Sequence, residues 1–332
     1  MKIAIRADGG SKIGMGHIMR TLVLAKELAK TNDVFYICRV DVPISDIYKP
    51  GIDKIKKEGF SVITINENNV LEEVNKIEAD MLITDSYDVD ENYFNETKKM
   101  FEYTAYIDDM NLHYFNVDFL INQNINAEEL NYRVNNNTKL LLGSKYTMLR
   151  EEFRNAPKKV IKENVENILI TVGGADPNNV TEKILSYIKD LNYKLYVVVG
   201  PSFNTINELR KYEEENKNIK LHINANMYQL MQNCDLAISA CGSTLYELCS
   251  LGVPTIGVII ADNQIEIGNK LHSLGIINNL GWYEHINKGK FLYELDKLIY
   301  HMNVRKKMSG LGRNLIDGKG VERIDKILKF SC

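Results

Sequence analysis

The stretch Gly14-Met15-Gly16-His17 carries the residue types best suited to chemistry in the first half of the sequence. It follows a strand-like run at residues 2–6 and precedes apolar residues that recur at helical spacing. A strand, a glycine loop and a helix N-terminus together form an anion site, because backbone N–H groups and the helix dipole point to the same place. Histidine exchanges a proton near neutral pH. Gly14, Gly16 and His17 therefore predict a binding turn that also carries an acid–base group.

The same residues also have structural interpretations. A Gly-x-Gly turn serves as a tight strand-to-helix connection, and a histidine at a helix start caps the helix or packs into the core. Arg20, one turn after His17, either adds positive charge near a phosphate or is an ordinary structural arginine. The spacing of these residues leaves both interpretations open.

A second candidate site lies in the run from Ser239 to Glu247. An apolar strand leads into Gly242, and two hydroxyl residues, Ser243 and Thr244, then open a helix. Free N–H groups and hydroxyls at a helix N-terminus suit a diphosphate, and Glu247 would come within reach of a ribose. The alternative is a capping box between Thr244 and Glu247, and the two interpretations are compatible.

Polar residues follow several other predicted strands. Asn263 and Gln264 stand between a strand and a helix, where they suit hydrogen bonds to sugar hydroxyls or serve as part of a helix cap. Tyr87 follows a strand of the first half in the same manner. Asp108 and Asp109 end another strand, and we expect a loop cap with one solvated carboxylate there, because adjacent residues on a strand point apart.

The elements that position these residues alternate between short apolar runs and amphipathic runs. This alternation predicts an α/β protein with two doubly wound, Rossmann-like domains facing a cleft, with ligands at the carboxyl ends of the strands. We predict a first domain at residues 1–155 and a second at 156–332, with a last helical segment, residues 304–330, that crosses back. The predicted strands are residues 2–6, 34–38, 61–65, 81–84, 105–107, 119–121, 167–172, 194–199, 219–223, 236–239 and 255–260. The predicted helices of the second half are residues 181–191, 206–215, 227–232, 244–250 and 264–274.

Composition excludes several classes of function. The net charge of −3 gives no indication of a nucleic-acid partner, and no apolar run reaches the length of a membrane span. The N-terminus lacks the apolar region of a signal peptide, so we expect a cytoplasmic protein. The histidines lack ligand spacing, so no metal site is predicted. The cysteines lack C-x-x-C spacing and resemble scattered reduced thiols: Cys38, Cys234, Cys241, Cys249 and Cys332.

Ordered motifs along nearly the whole chain resemble a known family. They are Arg6-x-Asp8, Gly14-x-Gly16-His17-x-x-Arg20, Asp108-Asp109, Leu120-Ile121-Asn122-Gln123-Asn124, Gly143-x-x-Tyr146-x-x-Leu149-Arg150-x-Glu152-Phe153 and Gly173-Gly174-Ala175-Asp176. This pattern resembles the bacterial UDP-2,4-diacetamido-2,4,6-trideoxy-β-L-altropyranose hydrolases of the pseudaminic-acid pathway. The second half also resembles the nucleotide-sugar domain of the MurG-like glycosyltransferases. One departure is Ser86, where we expect histidine in close relatives.

The resemblance implies a glycosyltransferase-B fold (GT-B) that acts as a hydrolase without a metal or another cofactor. It assigns His17 as the catalytic residue, which positions or deprotonates a water that displaces UDP with inversion. The glycine loop then forms the sugar side of the cleft. The substrate-binding residues that it implies are Gly14, Gly16, Arg20 and Tyr87 in the first half, and Gly173, Gly174, Asn224, Ser243, Thr244, Glu247, Asn263 and Gln264 in the second. Among them, Gly173, Gly174, Ser243 and Thr244 would hold the diphosphate, Glu247 the ribose, and the turn at Asn224 the uracil.

The expected function is therefore hydrolysis of a UDP-sugar to UDP and free sugar, by cleavage of the C–O bond at the anomeric carbon. The alternative is an inverting glycosyltransferase of the same fold that uses a UDP-sugar donor, for example in spore-coat or surface polysaccharide synthesis. We expect a monomer whose partners are the UDP-sugar and UDP, with no nucleic acid and no stable membrane insertion.

Overall fold

The computed structural model describes residues 1–331, and the chain divides into two compact units. The first unit comprises Met1–Arg150 together with the chain from Lys319 onward, and the second unit is Glu151–Gly318. The sequence places the boundary after residue 155, whereas the division in the structure falls after Arg150.

The first unit is built on a seven-stranded parallel sheet in the order β3-β2-β1-β4-β5-β7-β9, with a separate two-stranded sheet of β6 and β8. Its strands are Lys2–Ala7 (β1), Asp33–Val40 (β2), Val62–Asn66 (β3), Met81–Asp85 (β4), Tyr103–Ile107 (β5), Tyr114–Phe115 (β6), Phe119–Asn122 (β7), Arg133–Val134 (β8) and Lys139–Leu142 (β9). Its first four helices are Gly16–Leu28 (α1), Lys49–Lys57 (α2), Val70–Val74 (α3) and Glu91–Met100 (α4).

Both faces of this sheet are buried. Ile3 and Ile5 of β1 pack with α1 and α2, whereas Ala4 belongs to the core on the opposite face, with α3 and α4. Successive side chains of a strand point to opposite faces, so a central strand covered by helices on both sides buries almost all of its residues, which in β1 are apolar apart from Lys2 and the fully buried Arg6. This burial explains the near-continuous apolar run of β1.

The second unit repeats the architecture with a six-stranded parallel sheet in the order β12-β11-β10-β13-β14-β15. Its strands are Asn167–Thr171 (β10), Lys194–Val199 (β11), Ile219–Ile223 (β12), Leu236–Ala240 (β13), Thr255–Ile259 (β14) and Asn278–Trp282 (β15). Its helices are Glu151–Arg154 (α5), Val180–Ile188 (α6), Ile206–Glu215 (α7), Met227–Asn233 (α8), Thr244–Leu251 (α9), Ile265–Ser273 (α10), Lys288–Tyr300 (α11) and Met302–Leu315 (α12). The predicted α/β class with two doubly wound parallel sheets is confirmed.

The last helix, Gly320–Ser331 (α13), belongs to the first unit. Its residues Val321, Ile324 and Leu328 are fully buried in the core that also contains β1 and α1. The single helical segment predicted at residues 304–330 is therefore two helices, α12 and α13, in different units. The chain leaves helical geometry between them at residues 316–319.

Within residues 1–331, no helix combines the length and the apolar character needed to cross a membrane. Four of the five cysteines are buried free thiols: Cys38, Cys234, Cys241 and Cys249. The fifth, Cys332, lies outside the described residues.

Candidate active site

The glycine loop after β1 positions His17 at the start of α1. Gly10 and Gly14 exchange two backbone hydrogen bonds, of 3.0 and 2.9 Å, that close the loop. Gly14 has a φ of +79°, which a side chain would strain. Helix α1 begins at Gly16 and has no side-chain cap at Met15, and the His17 side chain is buried. The loop therefore delivers an imidazole to an uncapped helix N-terminus.

The base of this loop is fixed by close backbone packing and by an ion pair. Gly10 lies so close to the Ile47 carbonyl that a β-carbon at Gly10 would overlap it. Asp8 accepts hydrogen bonds from the Arg39 backbone N–H and Nε, both at 2.7 Å. Since Asp8 and Arg39 are both buried, this pair holds the beginning of the loop against β2.

Asp85 is the hydrogen-bond partner of His17, and sequence reasoning missed it as a site residue. It ends β4, directly opposite Ala7 of β1, and it is fully buried. Its Oδ1 lies 2.6 Å from His17 Nδ1. Burial alone would raise the pKa of Asp85, but Arg20 and His17 hold that pKa below its ordinary value. An ionised Asp85 only accepts hydrogen bonds, so Nδ1 of His17 donates to it, and in a neutral imidazole the lone pair then lies on Nε2.

Arg20 contacts two carboxylates. Its Nε and Nη2 donate to the two oxygens of Asp85, at 2.5 and 2.6 Å, and its Nη1 donates to both oxygens of Asp109, at 2.8 and 2.6 Å. Burial lowers the pKa of Arg20, but Asp109 and Asp85 outweigh this effect and hold the pKa well above its ordinary value. Four of the five guanidinium N–H groups therefore serve the two carboxylates, and the expectation that Arg20 binds the substrate stays a prediction.

Tyr87 closes the cluster on its exposed side. Its hydroxyl donates to Asp109 Oδ2 at 2.8 Å, and its ring meets the His17 ring edge-on, with centroids 4.5 Å apart at 81°. Burial, followed by the charge of Asp109, raises the pKa of Tyr87, so its hydroxyl stays protonated and donates. We refer to His17, Arg20, Asp85, Tyr87 and Asp109 as the His17 cluster.

The prediction of a solvated carboxylate at Asp108-Asp109 is wrong. The Asp109 side chain is only 12% exposed, because it binds Arg20 and Tyr87. Asp108 is also buried and accepts hydrogen bonds from the Tyr132 hydroxyl, at 2.9 Å, and from the Asn111 N–H. Burial raises the pKa of Asp108. The adjacent carboxylates do point apart, but each meets polar partners from a different loop.

In the second unit, the N-terminus of α6 is already occupied by a carboxylate of the chain. Asp176 is buried and accepts hydrogen bonds from the Val180 and Thr181 N–H groups, both at 2.8 Å. The preceding Gly173 and Gly174 pack their carbonyls against Gly200. The Val180 and Thr181 N–H groups at this helix start are therefore used internally, and the expected role of Gly173 and Gly174 in binding a diphosphate stays a prediction.

The N-terminus of α9 is open by comparison. Ser243 is its N-cap residue and is exposed, and no side chain caps the helix. Thr244 is the first helical residue, so the capping box that the sequence allowed between Thr244 and Glu247 does not form. Glu247 is half-buried one turn further along and has interactions of its own. Within the first turn, the Leu245 and Tyr246 N–H groups donate to the Gly242 and Ser243 carbonyls, both at 3.0 Å. The donors that this turn offers at the carboxyl end of β13 are therefore its two hydroxyls and the backbone N–H groups that precede Leu245.

The structure brings only some of the other predicted residues to this turn. Gln264 accepts a hydrogen bond from the Ile260 N–H at 3.1 Å, and its amide lies beside Gly242. Asn263 is exposed in the same short turn, and it caps neither this turn nor α10. Asn224, with a φ of +52°, follows β12 at the far edge of the sheet. Three strand spacings, about 14 Å, separate β12 from β13, so Asn224 and Ser243 do not share a turn.

Across residues 1–331, the described side chains contain no group of three or more His, Cys, Asp or Glu residues placed to hold a metal ion. The polar groups of the two regions therefore differ in kind. The first unit has a largely buried cluster of charged groups with an imidazole, and the second has two hydroxyl residues at a helix N-terminus without a side-chain cap.

Comparison with known proteins identifies the fold. The model of the glycosyltransferase family 28 C-terminal domain matches residues 167–283. Among solved structures, MurG of Acinetobacter baumannii aligns with a TM-score of 0.68 at 14% identity, covering 99% of each chain. The calicheamicin glycosyltransferase CalG4 aligns with a TM-score of 0.64 at 11% identity, covering 99% of this chain and 97% of the other. These matches confirm the predicted GT-B fold.

Three relatives are similar at the level of sequence. The uncharacterized protein MJ1062 of Methanocaldococcus jannaschii is 32% identical over 80% of this chain, which spans 57% of the length of MJ1062. The spore coat polysaccharide biosynthesis protein SpsG of Bacillus subtilis is 26% identical, over 99% of this chain and 98% of SpsG. The UDP-2,4-diacetamido-2,4,6-trideoxy-β-L-altropyranose hydrolase of Campylobacter jejuni is 27% identical, over 80% of this chain and 93% of that enzyme.

Proposed function

We propose that this protein hydrolyses a UDP-linked diacetamido-trideoxy sugar, as the name of the Campylobacter jejuni relative indicates for that enzyme. The observation that carries the proposal is the buried pair of His17 and Asp85 at the carboxyl edge of the first sheet. This pair has the geometry of a general base with its orienting carboxylate, because Nδ1 is held by Asp85 and Nε2 is left to accept a proton.

In the proposed step, a water oxygen attacks the anomeric carbon of the sugar while the bond from that carbon to the β-phosphate oxygen breaks. One proton of the water passes to His17 Nε2, and UDP leaves with the electron pair of the broken bond. The imidazolium is stabilised by ionised Asp85 until it releases its proton to solvent. Asp85 and Asp109 carry two negative charges against one on Arg20, so protonation of His17 takes the cluster from a net charge of −1 to zero.

The nucleotide is assigned to the second unit. The open N-terminus of α9, with Ser243 and Thr244, supplies donors for the charge that develops on the departing diphosphate. Further proposed contacts are the amides of Asn263 and Gln264, the loop at Gly173 and Gly174, Glu247 with the ribose and Asn224 with the uracil. In the first unit, Tyr87 and the loop at Gly14 and Gly16 line the sugar side.

A time course with UDP-2,4-diacetamido-2,4,6-trideoxy-β-L-altropyranose in ¹⁸O-labelled water tests the proposal by NMR and mass spectrometry. We expect UDP and free sugar without any acceptor, with the label in the sugar and inversion at the anomeric carbon. Label in the UDP would mean attack at phosphorus and would contradict the mechanism. A UDP-sugar that stays intact with folded protein would contradict the function.

The His17→Gln variant examines the role of the base. We expect turnover to fall by roughly 10²- to 10⁴-fold, while the affinity for UDP, measured by calorimetry, stays unchanged. The matched control is His285→Gln, because His285 is exposed in the second unit and lies outside the His17 cluster. Equal turnover of the His17 and His285 variants would remove His17 from the mechanism.

A glycosyltransferase of the same fold is the second candidate, favoured by the match of residues 167–283 to the family 28 domain. A transferase releases UDP in proportion to an acceptor, whereas a hydrolase does not need one. UDP release that depends strictly on an added acceptor would favour this candidate.

A further inference from the structure

We propose that Arg20 is a positioning residue that fixes the base His17 through a closed ring of contacts. The ring runs from His17 to Asp85, Arg20, Asp109 and Tyr87 and returns to His17. The inference rests on the proposed function, since it explains how the base of that reaction is held. It replaces the expectation that Arg20 binds the substrate.

The first half of the ring orients the carboxylate that orients the imidazole. Arg20 donates two hydrogen bonds to Asp85, one to each oxygen, from Nε at 2.5 Å and from Nη2 at 2.6 Å. Such a bidentate pair fixes the plane of the carboxylate as well as its position. Asp85 Oδ1 is thereby aimed at His17 Nδ1, 2.6 Å away. The contact from Arg20 Nη2 to the same Nδ1 is longer, at 3.3 Å. We therefore assign the hydrogen bond of Nδ1–H to Asp85 as acceptor.

The second half of the ring restrains the imidazole from another direction. Arg20 Nη1 holds Asp109, which Asn124 also reaches with its amide at 3.2 Å. Asp109 in turn accepts the Tyr87 hydroxyl, and the Tyr87 ring stands edge-on to the imidazole at 4.5 Å. A rotation of the imidazole that breaks its bond to Asp85 would therefore also drive the ring against Tyr87.

Charge and burial explain why an arginine fills this position. The Asp85 carboxylate is fully buried and the Arg20 side chain is only 13% exposed. Two buried carboxylates without a cation between them would repel each other and would shed charge by protonation. A lysine keeps the positive charge but cannot form the planar fork to Asp85 while also reaching Asp109. The shape of the guanidinium, in addition to its charge, is what holds the ring.

The test compares Arg20→Lys with Arg133→Lys, an exposed arginine of the same unit that pairs with Glu91. For Arg20→Lys we expect kcat to fall by about 10²-fold, the effect of a small misplacement of a catalytic group. We expect the KM for the UDP-sugar and the Kd for UDP to stay within about twofold, because uniform binding is unaffected. For Arg133→Lys we expect no change in any of these quantities.

A spectroscopic measurement separates positioning from a general loss of stability. In ¹⁵N NMR spectra of the imidazoles, His17, assigned by its absence in His17→Gln, should show one neutral tautomer with the proton on Nδ1. Arg20→Lys and Asp109→Asn should give a mixture of tautomers. Tyr87→Phe, which keeps the ring contact and loses only the hydroxyl, should show a smaller change than Tyr87→Leu.

The results that would overturn the inference are distinct from those that overturn the function. A tenfold rise in KM or in the Kd for UDP with unchanged kcat in Arg20→Lys would assign Arg20 to substrate binding. An unchanged tautomer in both Arg20→Lys and Asp109→Asn would show that the ring does not hold the imidazole. A wild-type protein that leaves the UDP-sugar intact contradicts the proposed function, while the NMR comparison still decides whether the ring holds His17.

Discussion

The first strands of the two units lead into similar turns, and the helices that follow them differ in what lies at their N-termini. In each, a buried parallel strand, β1 or β10, runs into a glycine turn and then a helix. At α6 the helix N–H groups are satisfied by the buried carboxylate of Asp176. At α1 no side chain caps the helix, and the second helical residue is His17. A glycine turn therefore does not by itself define an anion site, because the residue that follows decides whether the donors stay open.

Electrostatics sharpens the contrast between α1 and α9, two helices whose N-termini have no side-chain cap. Close to α1 lie the carboxylates of Asp85 and Asp109, balanced by only one guanidinium, so a diphosphate there would meet like charge. The first turn of α9 carries the hydroxyls of Ser243 and Thr244 and a single carboxylate, that of Glu247. This difference favours the second unit for nucleotide binding and the first for proton transfer.

We expect the largest effect when a carboxylate is placed at the N-terminus of α9, as Asp176 is at the N-terminus of α6. In Ser243→Asp, a carboxylate at the N-cap would satisfy the helix N–H groups and repel a phosphate. We expect the affinity for UDP to fall by roughly tenfold or more, while the helix itself is stabilised. Calorimetry with UDP and thermal unfolding measure the two effects. Ser243→Ala, which removes only the hydroxyl, is the control, and an unchanged UDP affinity in Ser243→Asp would remove α9 from the nucleotide site.

A smaller effect is expected when the Asp176 carboxylate is removed from the N-terminus of α6. Asp176→Ala leaves the Val180 and Thr181 N–H groups without their acceptor, and we expect the free energy of unfolding to fall by about 1–2 kcal/mol. The UDP affinity should change little if α9 is the anion site. Urea unfolding and calorimetry check these expectations, with Asp176→Asn as the milder control. A large gain in UDP affinity would show instead that Asp176 competes with phosphate.

The smallest effect concerns the C-terminal turn of α1, where Lys26 forms a surface ion pair with Glu58. Glu58 binds Lys26 of α1 and Lys54 of α2, both at 2.6 Å, and these lysines lower the pKa of Glu58 to about 2. A depressed carboxyl pKa stabilises the fold above the unfolded value, about 4.3, and this contribution is lost as the pH falls toward 2. We expect Glu58→Gln to cost less than about 1 kcal/mol at pH 7.

That difference in unfolding free energy between Glu58→Gln and the wild type should shrink steadily below pH 4. High salt at pH 7 should reduce it as well, because the pair is partly exposed. A difference that is independent of pH would mean that Glu58 contributes through packing and not through charge.

Local sequence patterns predicted the central strands because burial on both faces leaves apolar runs that no other element produces. They missed β9 and β15 at the sheet edges, and also β6 and β8 of the two-stranded sheet. The sequence of β15, Asn278–Trp282, contains two asparagines and a glycine, which are poor strand formers, and its strand geometry comes from pairing with β14. Residues 304–330 were expected to form one helical segment that crosses back, whereas in the structure residues 316–319 separate two helices, α12 and α13.

Sequence reasoning identified candidate residues at the helix N-termini. It did not identify Asp85 as the partner of His17 or Asp109 as a partner of Arg20. His17 and Ser243 follow glycines at strand ends, which is a local signal. Asp85 lies 68 residues from His17, and Asp109 lies 89 residues from Arg20. Their proximity depends on β4 and β5 lying next in order to β1 in the sheet, a pairing between distant segments that periodicity does not encode. The available signal was an acidic residue at the carboxyl end of two predicted strands.

The position of α13 has a consequence for how the chain folds during synthesis. Val321, Ile324 and Leu328 are fully buried beside β1 and α1, so the core of the first unit takes side chains from both ends of the sequence. The second unit, by contrast, is one continuous segment. During synthesis, all residues of the second unit are therefore translated before the last residues of the first unit are. The half that carries His17 is translated first and receives its last core residues at the end.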